Sequence, residues 1–451
     1  MQSSLEARGG FFFNVNLVFL GQIAIYGLAF GLRVVLARGL GDSGLGTFSL
    51  FFVAVIVAGG IANLGVGLGN IYFLNKGAYG YRVLLSGSLF VLIAMSAIAW
   101  VFILGYGFIV EPDIFVAGDA YWLYAAALPA VVAYVLLTSF LHGSSRFFAL
   151  SGVAVLQGVS ALLIAGVLYA RDGLDVSGAV VAWTASFVIA DVVVLYLVGL
   201  RHIDLPALLR PRWNALGDQI RYGAQGQLAN MAALFNYRLD QFLVAAFVSR
   251  AGVGHYTVAV GLGESVWWIS SAVAMVLLPR LTQMGRERAE ELTPLACRNT
   301  VLVSVLGAAA LMAVSPLAIR ILFGGEFDPA LLPLILLMPG IVAASATRVL
   351  GSYLFSQGRI IYNTFATFIA LGLTIVLDLA LIPWLEVEGA AIASSFAYIA
   401  SLIATLYWYR RVSGRGISEA LVFRLSDLRH YADLLRRLRA RRRPAEEKEV
   451  L

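Results

Sequence analysis

The chain has 451 residues, of which 60% are hydrophobic and 13% charged, and its formal net charge is +6. Soluble domains carry roughly a quarter charged residues, so this composition excludes a water-soluble globular fold. The positive charge does not indicate nucleic-acid binding, because the arginines lie in loops and in the C-terminal tail, where phospholipid head groups are the expected counter-charge.

Apolar runs recur along the whole chain. Each has about 20 residues and can cross a hydrocarbon core about 30 Å thick as a helix. Lipid cannot hydrogen-bond to backbone groups, so such runs must be helical. They predict an all-α polytopic membrane protein of about twelve transmembrane helices. The predicted spans are centred near Gly21, Ala58, Ile93, Val131, Gln157, Ile189, Ala233, Trp267, Gly307, Val342, Leu371 and Ala400.

Positive charge is concentrated in alternate loops between these runs. The loops contain Lys76 and Arg82, then Arg146, then residues 201–221, then residues 280–288, and finally Arg359. The positive-inside rule assigns such loops to the cytoplasm. Both termini are therefore expected on the cytoplasmic side.

The longest of these loops divides the chain into two halves. It contains Pro206 and Pro211 and follows the sixth predicted span. An even number of spans in each half predicts two bundles related by an axis along the membrane normal. We predict a six-helix bundle over 1–200, a linker over 201–221, a pseudo-symmetric six-helix bundle over 222–412 and a basic cytoplasmic tail over 413–451.

A short glycine phrase occurs once in each half. Residues 44–49 read GLGTFS and residues 252–257 read GVGHYT, an offset of 208 positions. Both phrases are predicted to lie in short extracytoplasmic loops, between the first and second spans of each half. Because glycine permits sharp turns and close helix approach, Gly44, Gly46, Gly252 and Gly254 are predicted to form an outer hinge or gate.

Polar side chains within the spans are the candidate substrate-binding residues, because polar groups at bilayer depth usually face protein or water. They are Gln22, Tyr26 and Arg33 on the first span, Asn230, Tyr237, Arg238 and Gln241 on the seventh, and Arg348 on the tenth. Guanidinium groups bind phosphate oxygens as a fork, which indicates an anionic, phosphate-bearing substrate. Structural alternatives remain: Arg33 could extend to the interface, and Arg348 could pair with a neighbouring acid.

Four acidic residues also lie within predicted spans. They are Asp191, Asp240, Glu264 and Asp378. Each could couple transport to Na⁺ or H⁺, or could be structural. No cofactor is expected, no metal site is indicated by the spacing of the histidines or of the single cysteine, and the chain lacks a Gly-Lys-Ser/Thr loop for ATP.

Two segments carry a family resemblance. Residues 37–41 (ARGLG) followed by the phrase at 44–49 resemble the first-loop motif of the oligosaccharide and polysaccharide (Wzx-like) flippases of the multidrug/oligosaccharidyl-lipid/polysaccharide exporter (MOP) superfamily. Asp240 and Gln241, followed by the phrase at 252–257, resemble its counterpart in the second half. The resemblance covers the chain to about Arg411.

The resemblance implies a twelve-helix, V-shaped exporter with a cavity formed largely by spans one, two, seven and eight. It implies a cargo of polyprenyl-diphosphate-linked oligosaccharide for O-antigen, capsule or exopolysaccharide assembly. It also implies the cytoplasmic membrane of a bacterium or archaeon. The related lipid II flippases have fourteen spans, for which this chain offers no room.

The C-terminal segment continues beyond the last span. Between Ile417 and Leu438, leucines recur at helical spacing with arginines between them. This pattern predicts an interfacial helix on anionic phospholipids, with a solvated tail after it. Glycan-assembly enzymes are a further candidate class of partner for this segment.

Two other functional classes are compatible with a polytopic fold. An ion-coupled drug antiporter of the same superfamily predicts an acidic cavity for cations. A membrane-embedded glycosyltransferase or polymerase predicts a long extracytoplasmic loop with paired catalytic carboxylates, which the short outer loops do not provide. We therefore expect a transporter and not an enzyme.

Overall fold

The computed structural model describes residues 2–109, 121–199 and 211–424. Within these ranges the chain forms helices and no strands, which confirms the predicted all-α class. The helices are α1 (Gln2–Ala62), α2 (Val66–Lys76), α3 (Tyr81–Ile109), α4 (Tyr121–Gly143), α5 (Phe147–Ala170), α6 (Val176–Val198), α7 (Trp213–Phe247), α8 (Arg250–Glu264), α9 (Trp267–Gln283), α10 (Arg286–Ala318), α11 (Leu331–Ser356), α12 (Ile360–Ser413) and α13 (Ile417–Leu421).

Every predicted span centre lies within one of these helices, but helices and spans do not correspond one to one. Helices α1 and α12 each contain two centres and are interrupted at Gly41 and Glu386 respectively. Eight described helical segments are long and apolar enough to cross a membrane, or nine if the bent pair α8 and α9 is one span. The count of twelve crossings and the cytoplasmic termini stay predictions.

The two glycine phrases are helical, so the prediction that they form loops is wrong. The first lies within α1, after a break at Gly41, where φ is 68° and ψ is −176°. The second lies in the first turns of α8, after a turn at Val248 and Ser249. Glycine is suited to the break at Gly41 because a side chain disfavours positive φ. The glycines of the phrases themselves adopt helical backbone and serve close packing instead.

The described chain divides into two compact units. The first consists of residues 1–262, 314–337 and 371–394, and the second of residues 263–313, 338–370 and 395–451. The bundles predicted over 1–200 and 222–412 stay a prediction. Part of the predicted linker (201–210) and most of the predicted interfacial helix and tail (425–451) lie outside the described residues.

A buried hydrogen-bond network fixes α7 within the first unit. Asn70 of α2 donates from Nδ2 to Ser88 Oγ at 2.8 Å and to Ser139 Oγ at 2.9 Å. Gln219 of α7 donates from Nε2 to Asn70 Oδ1 at 2.5 Å. Because an apolar interior penalises unpaired polar groups, this network fixes the register of four helices.

The second unit has its own apolar core, formed by α9 to α12. Leu277, Cys297, Val349 and Leu354 are buried there, and the rings of Tyr353 and Tyr409 meet edge to face at 5.3 Å. Tyr409 is on the C-terminal part of α12, so this core holds the end of the long helix against α11.

Candidate functional site

A cavity of about 340 Å³ lies in the first unit between α1, α5, α6, α7 and α8. Three of the predicted substrate-binding residues line it together: Arg33, Arg238 and Gln241. We call it the arginine cavity. Its remaining wall is mainly aliphatic and aromatic, and no acidic residue occurs among the described residues that line it. Two guanidinium groups in such a wall can bind an anion.

Arg33 is held by a glycine that the sequence analysis did not identify. Its guanidinium packs directly on Gly261 of α8, where an added methyl group would lie 1.6 Å from Arg33 Nη1. Only glycine leaves room for the guanidinium at this point. Gly261 lies seven residues after Gly254 on the same helix, so the repeated phrase could have directed attention to it.

Two further lining residues were also missed as site residues. Gln157 of α5 donates from Nε2 to Ser186 Oγ at 2.9 Å, and Trp183 of α6 packs edge to face against Phe51. An isolated glutamine in an apolar run was a usable signal for Gln157. Trp183 gave none, because a tryptophan in a span is common at membrane interfaces.

Asp240 is buried beside the cavity and is fully engaged. Tyr256 of the second glycine phrase donates its hydroxyl to Asp240 Oδ2, and Ser394 Oγ donates to the same oxygen at 3.2 Å. Asp240 also attracts Arg238 electrostatically. This carboxylate therefore joins α7, α8 and α12 within the first unit.

Asp378 is the second buried acid of this region. It interacts electrostatically with Asp240, and neither of its carboxylate oxygens has a hydrogen-bond partner among the described atoms. Close by in the chain, Thr374 donates to Asn236 Oδ1 at 2.9 Å. Oxygen atoms of this kind can bind a proton or a small cation. No group of three or more His, Cys, Asp or Glu side chains suited to a metal occurs in the described ranges.

The other predicted residues lie elsewhere. Gln22, Tyr26 and Tyr237 are half-buried and do not line the arginine cavity. Asp191 lies near Tyr134 of α4 and has one oxygen, Oδ1, without a described partner. The remaining two belong to the second unit: Glu264 ends α8, and Arg348 lines a cavity of that unit.

Asn230 lines a separate cavity of about 230 Å³ in the first unit. Its neighbours there include Asn63, Thr138 and Gln227, and we call it the amide cavity. Gly60 of α1 and Met231 of α7 lie in sequence between the residues of these helices that line the two cavities. An added methyl group at Gly60 would lie 2.3 Å from Met231 Cε, so the Met231 side chain packs closely on this glycine.

The two glycine phrases pack against each other. A methyl group at Gly46 would lie 1.8 Å from the carbonyl oxygen of Arg250, and one at Gly254 would lie 2.0 Å from the carbonyl oxygen of Asp42. We call this the repeat contact. Gly44 and Gly252 lie outside the repeat contact. A methyl group added at either position would meet only side chains, including that of Leu40 at Gly44 and those of Val248 and Val387 at Gly252.

Polar side chains reinforce the repeat contact. His255 Nε2 lies 3.2 Å from Asp42 Oδ2 and 3.1 Å from the carbonyl oxygen of Glu326. Arg38 Nε donates to the carbonyl oxygen of Leu322 at 3.0 Å. Arg38 thereby joins α1 to the π-helical turn Ile319–Phe323, and His255 of the second phrase joins Asp42 to the 3-10 turn that follows it.

A second pair of glycines makes a similar backbone contact between α7 and the start of α2. A methyl group at Gly223 of α7 would lie 1.8 Å from the carbonyl oxygen of Gly65, and one at Gly69 would lie 2.5 Å from that of Gln219. We call this the linker-side contact. In chain order from Gly46 to Gly65, and from Gly223 to Arg250, residues that line the two cavities lie between the two contacts.

Comparison with known proteins gives a consistent result. The family model described as "Lipid II flippase MurJ" matches residues 80–430. A "Probable low-salt glycan biosynthesis flippase Agl15" of Haloferax volcanii is 22% identical over 271 residues, which is 57% of this chain and 56% of that protein. The match therefore spans little more than half of this curated relative.

Solved structures share the fold. "Lipid II flippase MurJ, inward closed conformation" has a TM-score of 0.73 at 13% identity, over 90% of this chain and 89% of that one. An inward-facing multidrug resistance MATE family transporter of the MOP superfamily has a TM-score of 0.68 at 17% identity, over 86% and 94%. These likenesses confirm the predicted superfamily fold.

Proposed function

The chain belongs to the lipid II flippase MurJ family, and from this we propose that it moves a lipid-linked saccharide head group across a membrane. The cargo we propose is a polyprenyl-diphosphate-linked oligosaccharide, such as a repeat unit for O-antigen, capsule or exopolysaccharide. The polyprenyl tail stays in lipid while the head group passes through the protein. The membrane we propose is the cytoplasmic membrane of a bacterium or archaeon.

The arginine cavity is the observation that carries this proposal. Arg33 and Arg238 supply two guanidinium forks in a wall whose described residues include no acidic side chain. A diphosphate offers oxygen pairs that match such forks, and a guanidinium stays charged when partly desolvated. A drug antiporter for cations would require the opposite charge. The likeness to a MATE transporter concerns the fold alone.

The size of the cavity implies a conformational change. A volume of about 340 Å³ is at the lower end of small-ligand sites and is too small for an oligosaccharide diphosphate. We propose that the repeat contact and the linker-side contact open alternately. Gly46 and Gly254 then act as a separable helix contact, and Gly41 and the turn before α8 are better placed than the phrases to act as hinges.

Asp240 and Asp378 are our candidates for ion coupling. They are buried together, and the Asp378 oxygens lack hydrogen-bond partners within the described chain. Binding of Na⁺ or H⁺ would remove the electrostatic penalty of two adjacent carboxylates. Asp240 also accepts a hydrogen bond from Tyr256 of the second glycine phrase. A change of charge on Asp240 can therefore affect the repeat contact. For Asp191 and Glu264 we propose structural roles.

The test is reconstitution in liposomes with a fluorescent polyprenyl-diphosphate sugar. Wild-type protein should transfer the probe between leaflets faster than protein-free vesicles do. The double variant Arg33→Gln/Arg238→Gln should reduce this rate at least about tenfold, because each charge-assisted hydrogen bond contributes about 1.5–3 kcal/mol. Arg359→Gln, at an exposed turn, removes one charge outside the cavity and should leave the rate unchanged. Equal rates for wild type and double variant would refute the role of the cavity.

Two partner classes extend the proposal. The arginines between Ile417 and the C-terminus are expected to bind anionic phospholipids, and glycan-assembly enzymes are candidate partners that would supply or consume the cargo. Binding to vesicles with and without phosphatidylglycerol, compared for the full chain and a chain ended after Val422, would test the first. Equal binding by both chains would exclude it.

A further inference from the structure

The second unit contains a cavity of about 580 Å³ between α9, α11 and α12. Arg348 is the one charged side chain among its lining residues. Hydroxyl and amide groups of Ser271, Ser352, Asn363 and Thr405 also line it. The function proposed above makes no use of this cavity.

Arg348 is anchored without a counter-charge in the described chain. Its Nη1 donates to Ser271 Oγ at 2.7 Å, and its guanidinium lies 4.3 Å from the centre of the Trp267 ring. Trp267 is itself fixed, because its Nε1 donates to the carbonyl oxygen of Ile341 at 3.1 Å. Both contacts are neutral. A guanidinium has five N–H donors, so most of them remain available to a ligand.

The position of Arg348 makes an unused charge costly. It lies eight residues before the end of α11 at Ser356, which is about 12 Å along the helix axis. Charged groups at such depth usually pair with an opposite charge or mark a ligand site. No carboxylate occurs among the described residues that line the cavity, and this favours an anionic ligand as the partner of Arg348.

The hydroxyl groups around Arg348 indicate a second chemical property of the ligand. Ser352 Oγ donates to the carbonyl oxygen of Arg348 at 3.0 Å, and Thr405 Oγ1 donates to that of Ser401 at 2.8 Å. Their hydrogens are thus used within their own helices, so toward a ligand in the cavity these oxygens can act only as acceptors. Acceptor oxygens around one cation suit a ligand that has both a negative charge and hydroxyl donors.

We infer that the second unit binds a phosphate ester bearing free hydroxyl groups, with its phosphate on Arg348 and its hydroxyls on the Ser and Thr oxygens. Two molecules offer this chemistry. One is the head group of an anionic phospholipid such as phosphatidylglycerol. The other is the phosphate-linked sugar of the cargo, and in that case the inference rests on the proposed function.

Native mass spectrometry of the purified full chain in detergent can measure both sources. One arm titrates short-chain phosphatidylglycerol against phosphatidylcholine, which has no hydroxyl and no net charge. The other arm titrates farnesyl-diphosphate N-acetylglucosamine. In the arm that contains the true ligand, Arg348→Gln should weaken binding about 10- to 100-fold in Kd, the value of one charge-assisted hydrogen bond. Arg359→Gln is the matched control and should bind as wild type.

A second variant tests the cavity without replacing Arg348, so that misfolding of Arg348→Gln cannot be mistaken for loss of the site. Ala274 lines the same cavity, and Ala274→Leu fills it without changing any charge; it should weaken binding of the same ligand. The farnesyl arm is repeated with Arg33→Gln/Arg238→Gln, which separates binding in the second unit from binding in the arginine cavity. Weaker binding by Arg348→Gln in either arm supports the site, and the arm in which it occurs identifies the ligand. Unchanged binding of both ligands by Arg348→Gln and Ala274→Leu would overturn it, whatever the flipping assay shows.

Discussion

Gly46 and Gly254 occupy equivalent positions 208 residues apart and pack backbone against backbone. Gly46 faces the carbonyl oxygen of Arg250, and Gly254 faces that of Asp42. Asp42 and Arg250 are separated by the same 208 positions, so the two contacts are reciprocal. The two equivalent segments thus contact each other through the same positions, as two identical subunits do at a two-fold symmetric interface.

The repeat contact should not tolerate a methyl group. Gly254→Ala would introduce a carbon atom 2.0 Å from the Asp42 carbonyl oxygen, and such overpacking typically costs about 1–3 kcal/mol. The conformation closed at this contact should lose population by about 5- to 150-fold. Accessibility of a cysteine at Ser43 to a membrane-impermeant maleimide should increase accordingly.

Gly166→Ala is the control for this experiment. Gly166 lies in α5, and no atom lies within 4 Å of a methyl group added there. It should leave the maleimide reactivity unchanged. If Gly254→Ala and Gly166→Ala react at the same rate, the repeat contact is not a gate.

Gly261 should position Arg33 for binding. In Gly261→Ala the new methyl group would overlap Arg33 Nη1, and the guanidinium must move because it is the flexible partner. We expect farnesyl diphosphate to bind about 10- to 100-fold more weakly, as for loss of one charge-assisted hydrogen bond. Thermal stability should be nearly unchanged, since the charge stays in the cavity. Gly27→Ala, where nothing lies within 4 Å, should bind normally.

The hydrogen bond from Gln219 to Asn70 should stabilise the fold. Gln219→Leu leaves Asn70 Oδ1 unpaired in a buried site, which should lower the free energy of unfolding by about 1–3 kcal/mol. The melting temperature in detergent measures this loss. Gln225→Leu changes an exposed glutamine of the same helix and should have little effect. Equal melting temperatures for the two variants would show that the network is dispensable.

Asp378 should determine the ion dependence of transport. Asp378→Asn removes a buried charge without changing shape, so the flipping rate should become independent of an imposed Na⁺ or proton gradient. Asp172→Asn, at an exposed turn after α5, should keep the wild-type dependence. A gradient response that survives in Asp378→Asn would exclude this carboxylate as the coupling group.

Sequence and structure agree where the property is local to one segment. Apolar runs such as those around Ile93 and Gln157 determine helices because every backbone group in lipid must be paired within its own segment. The offset of the two glycine phrases likewise identified equivalent positions before any packing was known. The separate spans predicted around Gly21 and Ala58, and around Leu371 and Ala400, are divided by the breaks at Gly41 and Glu386.

The sequence by itself determined that this is a helical membrane protein with two equivalent glycine phrases and a few intramembrane arginines. Only the tertiary structure decided that Arg33 and Arg238 share a cavity while Arg348 belongs to another unit, and that Gly46 meets Gly254. Helical periodicity orders residues around one axis and says nothing about which helix lies opposite. The pairing of helices depends on packing between segments up to hundreds of residues apart. Gly261, for example, contributes only because the absence of a side chain leaves room for Arg33.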